Sequence, residues 1–465
     1  MYDVALIHPP RVPRFSPQGN QFPIMPVGLM SIAGELRRAG FSVKIFNLAM
    51  QAAVDPGFNL RSAVKRIDAK VYGIDFHWFV HAHGYVAVAD VVKSVRPDSK
   101  VVVGGMSASW FARDVISEKS VDVVVLGEGE QAMRETVDAF ESGKSLSDIR
   151  GIAYKEGKAG SPKFTAARTP VPFEAFSNYD FTSLQLIDDY QAYITMGAKP
   201  ANFWLPIARA CPFNCAYCGG SREGYAAAMG RTATVFREVE AVVQDVEKLT
   251  EQGVRVVNFT HDPEIGGKRY WEPLFKSLSS RVPDVGVYIE AFRSPSREFM
   301  QAVKGLAGSS LAISPESASE EVRRFVGREM SDQQIFSSLS SAKELSIPVL
   351  VYFLVGLPRE TWDTFALFEP MVKKIMSEKL GLVVPPIPYT VDPNSPMALR
   401  PEDYGVKLLA NSYQDYRRMA ASNEEKDWIA HETKWLSRDE IYGMLTKARE
   451  IVMRYYGNPR LVTFG

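Results

Sequence analysis

Short apolar runs alternate with amphipathic stretches along the first 140 residues of the chain. Val4–His8 is an apolar run closed by Pro9-Pro10. Pro26-Val27-Gly28-Leu29 opens a helical pattern through Leu36 that Gly40 ends, and Val43–Phe46 is a second strand pattern. Lys70–Phe76 is a third, followed by a helix from about Tyr85 to Val95. Lys100–Val103 is a fourth, ending at Gly104-Gly105. Val121–Leu126 is a fifth, ending at Gly127-Glu128-Gly129-Glu130, with a helix to about Phe140. Short apolar strands alternating with helices predict an α/β, Rossmann-like parallel sheet. Its ligand belongs beyond the carboxyl ends of the strands.

The pattern changes over residues 141–200. Gly151–Lys155, a turn at Glu156-Gly-Lys-Ala-Gly160 and Lys163–Ala167 predict a hairpin. Pro170-Val-Pro-Phe173 and Asn178-Tyr-Asp180 read as a linker over the surface. Alternation returns over 201–395, with strands at Trp204–Ala208, Val254–Phe259, Val285–Glu290, Ser310–Ser314, Val349–Val355 and Gly381–Pro385. Six β/α units suit a partial barrel rather than a closed eightfold one, with function at the strand carboxyl ends. Cys211, Asp262, Arg293, Glu316 and Gly356 fall there. Residues 396–465 are mostly helical. Ser437-Arg-Asp-Glu440 is a capping box, and Ile441, Met444, Leu445, Ala448 and Val452 form an apolar stripe that Gly457 ends. The expected units are therefore 1–140, 141–200, 201–395 and 396–465.

Composition narrows the partners. Lysine plus arginine equals aspartate plus glutamate at 54 each in 465 residues, so no general field draws nucleic acid or anionic lipid. Arg323, Arg324 and Arg328 read as a solvated helix face. No apolar run approaches the ~18 residues of a membrane span, and no leader pattern opens the sequence. A cytoplasmic location is the expectation.

Cysteine usage carries the chemistry. The chain has 3 cysteines, all in the segment Cys211-Pro-Phe-Asn-Cys215-Ala-Tyr217-Cys218. An odd, clustered set builds no disulfide framework. A structural zinc site wants four closed ligands, and only His261 is a nearby-type substitute for the missing thiolate. Three thiolates on a four-iron cubane instead leave one iron open.

This spacing, with Tyr217 before the last cysteine, resembles the radical S-adenosylmethionine superfamily. The resemblance implies a [4Fe–4S] cluster on Cys211, Cys215 and Cys218, and S-adenosylmethionine on its open iron. Later strand ends match in order. Thr260-His-Asp262-Pro-Glu264 stands where the family often has Gly-Gly-Glu, so Asp262 either contacts the methionine amino group or caps a helix. Ser314-Pro-Glu316-Ser317 stands where the family has a Gly-x-Glu-Ser-like segment, and implies that Glu316 binds the nucleoside. Capping of the next helix is the other reading of Glu316. Gly356-Leu-Pro-Arg-Glu-Thr361 resembles the family's Gly-Leu-Pro-Gly-Glu-Thr, with Gly356 beside the adenine. Arg293 and Tyr217 complete the expected cofactor contacts.

Pro26-Val-Gly28-Leu29, Val103-Gly104-Gly105 and Gly127-Glu128-Gly129-Glu130 resemble the cobalamin-binding domain fused to many such enzymes. Glycines at adjacent strand ends let a nucleotide tail lie against backbone N–H groups. The implied contacts are Pro9, Pro26, Gly28, His77, Trp78, Gly104, Gly105, Gly127, Glu128 and Gly129. The Asp-x-His-x-x-Gly motif of a histidine-ligated corrinoid is absent after the first strand, and Asp75-Phe-His77 lacks its position and glycine, so no axial histidine is assigned.

Together the resemblances imply methyl transfer from cobalamin to an unactivated carbon through a 5′-deoxyadenosyl radical. They also imply a small-molecule substrate and a one-electron reductant such as flavodoxin or ferredoxin. A rearrangement, cyclisation or carbon–carbon coupling with the same cofactors is one alternative; a corrinoid- or cluster-binding sensor is another. Methylthio transfer and cysteine-relay methylation need thiols that the chain lacks. Pro386–Pro396 and the aromatic residues beyond it are expected to wall the substrate pocket.

Overall fold

A computed structural model describes residues 1–11, 27–156, 160–191 and 201–456. Strands β1 (Tyr2–His8), β2 (Val43–Asn47), β3 (Ala69–Asp75), β4 (Lys100–Gly104) and β5 (Val123–Val125) form parallel pairs in the order β2-β1-β3-β4-β5. Their Val- and Ile-rich sequences suit burial on both faces. The helix Val27–Arg38 seals one face and the helix Gly84–Val95 the other. The order reverses between β1 and β3, the position where open α/β sheets bind ligands.

The predicted hairpin forms as β6 (Ile152–Lys155) and β7 (Pro162–Phe164), and it continues the first sheet antiparallel to β5. The supposed surface linker differs from expectation. Val171, Phe176, Tyr179 and Phe181 are buried, and a side chain at Gly34 would collide with Asp180. Alternating apolar residues thus glue this segment under the helix Val27–Arg38.

β8 (Asn202–Leu205) leads into β9 (Ala208–Arg209), which pairs antiparallel with β10 (Val235–Phe236). Strands β11 (Val256–Phe259), β12 (Gly286–Ala291), β13 (Ser310–Glu316), β14 (Val349–Phe353) and β15 (Leu382–Val383) join β8 in an open, six-stranded, all-parallel sheet. Inward and outward positions alternate as the pleat requires.

The C-terminal region bridges both sheets. Tyr413, Tyr416 and Met419 pack into the core of the first, whereas Ile441, Met444 and Leu445 of the helix Arg438–Met453 join the second. That helix starts at the expected Ser437/Glu440 capping box; Gly457 lies outside the described residues. Among the described residues no helix is long and apolar enough to cross a membrane.

Candidate active site

The cysteine loop leaves β9 through Ala210, a non-glycine residue at φ +60°. Its backbone is pinned at several points. Ala216 N–H donates to the Val326 carbonyl (2.9 Å) and Met397 N–H to the Ala216 carbonyl (2.9 Å). Asp392 accepts from Gly219 N–H at 2.7 Å, Asn394 Nδ2 donates to the Gly219 carbonyl at 2.7 Å, and the Tyr389 hydroxyl donates to the Tyr217 carbonyl at 2.9 Å. A Cβ at Gly219 would sit 2.6 Å from Asn394 Oδ1, so glycine is required there. Segment 386–396 was expected to wall a substrate pocket. Its polar side chains brace the cysteine loop, a role that spacing alone could not disclose.

His261, the candidate fourth zinc ligand, uses Nε2 on the Ala210 carbonyl at 2.8 Å, and its Nδ1 is buried without a partner among the described residues. Burial pushes the Cys211 thiol up to about 11 and the Cys218 thiol higher, with the Asp392 charge adding to the latter. Cationic iron offsets that penalty, because thiolates deprotonate as they coordinate. Among the described residues no three His, Cys, Asp or Glu side chains converge on a single ion. A cubane differs from such a site in taking one thiolate at each of three iron corners.

Glu316 ends β13 beyond a register shift, at φ +72°. Its carboxylate accepts the Tyr217 hydroxyl at 2.8 Å and lies 4.0 Å from Arg328 Nε. Burial raises its pKa to about 7. The following helix is capped by Ser319, not by Glu316. A strained, buried carboxylate that caps nothing and joins the cysteine loop has the features of a binding group. Arg323 and Arg328 overturn the solvated-face expectation: Arg323 is fully buried, Arg328 is 5% exposed, and only Arg324 faces solvent. Arg328 donates to the Ser314 carbonyl at 2.8 Å, and Ser314 Oγ donates to Glu290 at 2.9 Å.

Asp262 is realised as a cap. Its oxygens accept Glu264 N–H and Phe292 N–H, each at 2.9 Å, and burial raises its pKa to about 7. Arg293 lies 3.8 Å over the Phe213 ring in the cysteine loop and donates to the Gly327 carbonyl. Gly356 adopts φ +88°, donates to Glu360 at 2.7 Å and accepts from buried His431 at 2.8 Å. Arg359, where the resembling motif has glycine, takes φ +67°.

At the first sheet, His77 and Trp78 are exposed beyond β3, whereas Phe76, Phe79, Val80 and His81 are buried. At the switch point His8 Nδ1 meets Asp75 at 2.8 Å, and the rings of His8 and His81 are 4.6 Å apart. Both His81 ring nitrogens are buried without a partner among the described residues. Gly28 faces open space, and Gly104 would place a Cβ at an ordinary 3.5 Å from Val125. Gly127 and Gly129 leave 3.4 Å to the Met229 carbonyl and 3.3 Å to Ile32. Exposed rings and small residues around this crevice fit a bulky flat ligand with a nucleotide tail.

Other residues of the expected corrinoid set carry structural roles. Gly105 is needed by the fold itself: its φ is +117°, and a Cβ would come 2.5 Å from His77 backbone atoms. Pro9 is buried, and the carbonyl of neighbouring Pro10 abuts Gly84 so closely that no side chain fits there. Pro26 lies outside the described residues. Glu128 is committed to Arg231 (2.6 and 3.0 Å), the Val171 N–H (2.8 Å) and Arg209 (3.5 Å) rather than open to a ligand.

That ion cluster ties the two sheets together. Glu130 pairs with Arg209 and accepts Ser31 Oγ at 2.7 Å, and Arg209 precedes Cys211 by two residues. A second link runs through Asn394, whose Nδ2 donates to the Gly219 carbonyl at 2.7 Å and to Met106 Sδ at 3.3 Å. Glu128→Ala strands a buried guanidinium, a loss of about 3–5 kcal/mol. The thermal midpoint is expected to fall clearly, whereas Lys407→Ala, which breaks an exposed pair with Glu432, costs under ~1 kcal/mol. Equal midpoints for the two variants contradict a structural role for the cluster.

Residues 205–368 match the family model of the radical SAM superfamily, and residues 21–137 match that of the B12 binding domain. An uncharacterized methyltransferase of Pyrococcus horikoshii is 26% identical over 75% of this chain and 73% of its own length. The hopanoid C-3 methylase of Methylococcus capsulatus is 24% identical over 50% of this chain and 42% of its own. Among solved structures, the radical S-adenosylmethionine methyltransferase TsrM from Kitasatospora setae, holding cobalamin and a [4Fe–4S] cluster, superposes with a TM-score of 0.70 at 15% identity. It covers 99% of this chain and 90% of that one. The cobalamin-dependent radical enzyme OxsB gives 0.65 at 14% identity, over 96% of this chain and 66% of its own.

Proposed function

The chain belongs to the radical S-adenosylmethionine superfamily, in its cobalamin-dependent methyltransferase branch, and from that premise we propose that it methylates an unactivated carbon of a small molecule. When bound, the cluster supplies the electron that cleaves S-adenosylmethionine to a 5′-deoxyadenosyl radical, and the corrinoid supplies the methyl group. The chain's own part is placement. Cys211, Cys215 and Cys218 hold the cluster on a loop fixed by Asp392, Asn394 and Tyr389. Tyr217 and Glu316 receive the nucleoside, and Arg328 holds the backbone of Ser314 beneath them. His77, Trp78 and the glycine-rich strand ends receive the corrinoid.

One observation carries this reading. Asn394 Nδ2 donates to the Gly219 carbonyl in the cysteine loop at 2.7 Å and to Met106 Sδ, next to Gly105 at the β4 end, at 3.3 Å, so one side chain ties the two cofactor loops together. Proximity of this kind is what turns two separate cofactors into one reaction site. A low-potential one-electron donor such as a flavodoxin or ferredoxin is the implied partner. The test is anaerobic incubation with labelled S-adenosylmethionine and candidate acceptors. A product heavier by a labelled methyl group, formed together with 5′-deoxyadenosine, supports methyl transfer; 5′-deoxyadenosine with an unmethylated, rearranged product rejects it.

Glu316→Gln is expected to weaken S-adenosylmethionine binding about ten- to hundredfold, as loss of a charge-assisted hydrogen bond costs about 1.5–3 kcal/mol. Iron content should stay that of the wild type. An unchanged Kd would confine Glu316 to positioning Tyr217.

A further inference from the structure

The two faces of the six-stranded sheet are unlike. Phe203, Val257, Val287, Ile289, Leu311 and Val351 are buried under the helices. On the opposite face Trp204, Tyr288, Leu350 and Tyr352 stay partly accessible, and Glu290 is exposed although it lies on a central strand. Strand register brings these residues together. Trp204 and Tyr288 flank Asn258 in one row, with ring centroids 6.3 Å apart and nearly perpendicular. Tyr352 of β14 stands on the same face, across β13 from Tyr288. Glu290 stands opposite Ala312, whose small side chain leaves room beside the carboxylate.

Glu290 accepts one hydrogen bond, from Ser314 Oγ at 2.9 Å. Among the described residues no Lys, Arg or His nitrogen pairs with it within 4.0 Å. Arg328 feels its charge but is held by the Ser314 carbonyl at 2.8 Å and lies 4.0 Å from Glu316. A carboxylate on an aromatic floor repels anions. A neutral guest would desolvate its charge without compensating it. A cation satisfies it and gains from the rings as well.

We propose that this face binds a substrate bearing a primary ammonium or guanidinium group, with Glu290 as counter-ion and Trp204, Tyr288 and Tyr352 as walls. The assignment rests on the small-molecule methyl-acceptor reading and adds the chemical class of the acceptor. It places the cation one hydrogen-bonded step from Ser314, two residues before the Glu316 that faces the cysteine loop. A carbon near that cationic group is thereby held towards the reacting end of the barrel.

The test uses four probes of one shape: benzylamine, benzylguanidine, benzyl alcohol and benzoate. Each is titrated by calorimetry into holoenzyme saturated with S-adenosylmethionine and kept oxidised so that no turnover occurs. The two cations should bind at least tenfold more tightly than the alcohol, with benzoate weakest. Glu290→Gln should erase that preference, and Glu290→Asp, which keeps the charge, should retain it. The proposal fails if the alcohol or benzoate binds as well as the cations, if neither cation binds, or if the preference survives Glu290→Gln. A tenfold loss of S-adenosylmethionine affinity in Glu290→Gln, with cation binding unchanged, would reassign the carboxylate to the ribose and overturn it too. Iron content and corrinoid uptake of the same preparations report separately on the general reading.

Discussion

Replacing Cys211, Cys215 and Cys218 together by Ala is expected to abolish iron binding and all reductive cleavage of S-adenosylmethionine, while the chain still folds. The cysteines contribute little else to the structure. Among the described residues the hydrogen bond of a cysteine side chain is a weak one, from Cys215 Sγ to the Gly327 carbonyl at 3.7 Å. The loop is fixed instead by backbone contacts to Val326, Asp392, Asn394 and Met397, none of which needs sulfur. Burial raises the Cys211 and Cys218 thiols, so without metal these two are neutral and Ala replaces them at modest cost. Iron analysis after anaerobic reconstitution, with detection of 5′-deoxyadenosine, measures both losses. A triple variant that keeps its iron would move the cluster elsewhere and remove the basis of the assignment.

The residues legible in the sequence are those whose chemistry is local. The cysteine spacing, the strand-end Glu316 and the Gly356-Leu-Pro-Arg-Glu turn each declare themselves within a few positions, and the alternation of apolar runs gives both parallel sheets. Asp392 and Asn394 were not legible. They act on Gly219 from 173 and 175 positions away, through hydrogen bonds that no periodicity marks. Arg328 was misread for a related reason. A run of three arginines near a helix looks solvated until the fold turns two of them inward onto the carbonyls of Ser314, Ser317 and Met330. Glu128 shows the converse error. Its glycine-flanked motif suggests a ligand loop, yet Arg209 and Arg231, far along the chain, claim the carboxylate. Glu290 closes the strand pattern Val285–Glu290, which does not single it out. Only the burial of the sheet's other face under helices shows which face it shares with Trp204, Tyr288 and Tyr352.

The holoenzyme is expected to take up hydroxocobalamin with its nucleotide tail displaced from cobalt. The tail needs a slot, and the β4 end is the place to test it. Gly105 cannot serve, because any side chain there meets the His77 backbone and disturbs the loop whatever the ligand. Gly104 can. Its first side-chain carbon would meet only Val125 at van der Waals distance, so Gly104→Val keeps the fold and narrows the crevice. At least a tenfold loss of corrinoid uptake, with an unchanged thermal midpoint of the corrinoid-free protein, is the expected result. His77→Ala should instead leave uptake nearly intact. His77 is exposed beyond β3, and its backbone N–H, not its ring, is tied to Asp75 at 2.9 Å. Losing one ring from a large, flat interface is a small change. Spin resonance of the Co(II) form decides the point: nitrogen hyperfine splitting that vanishes in His77→Ala would make His77 an axial ligand and reverse the assignment. If the wild-type protein takes up no corrinoid, methyl transfer by this route is excluded, and the cysteine loop remains as the centre of a radical enzyme of another kind.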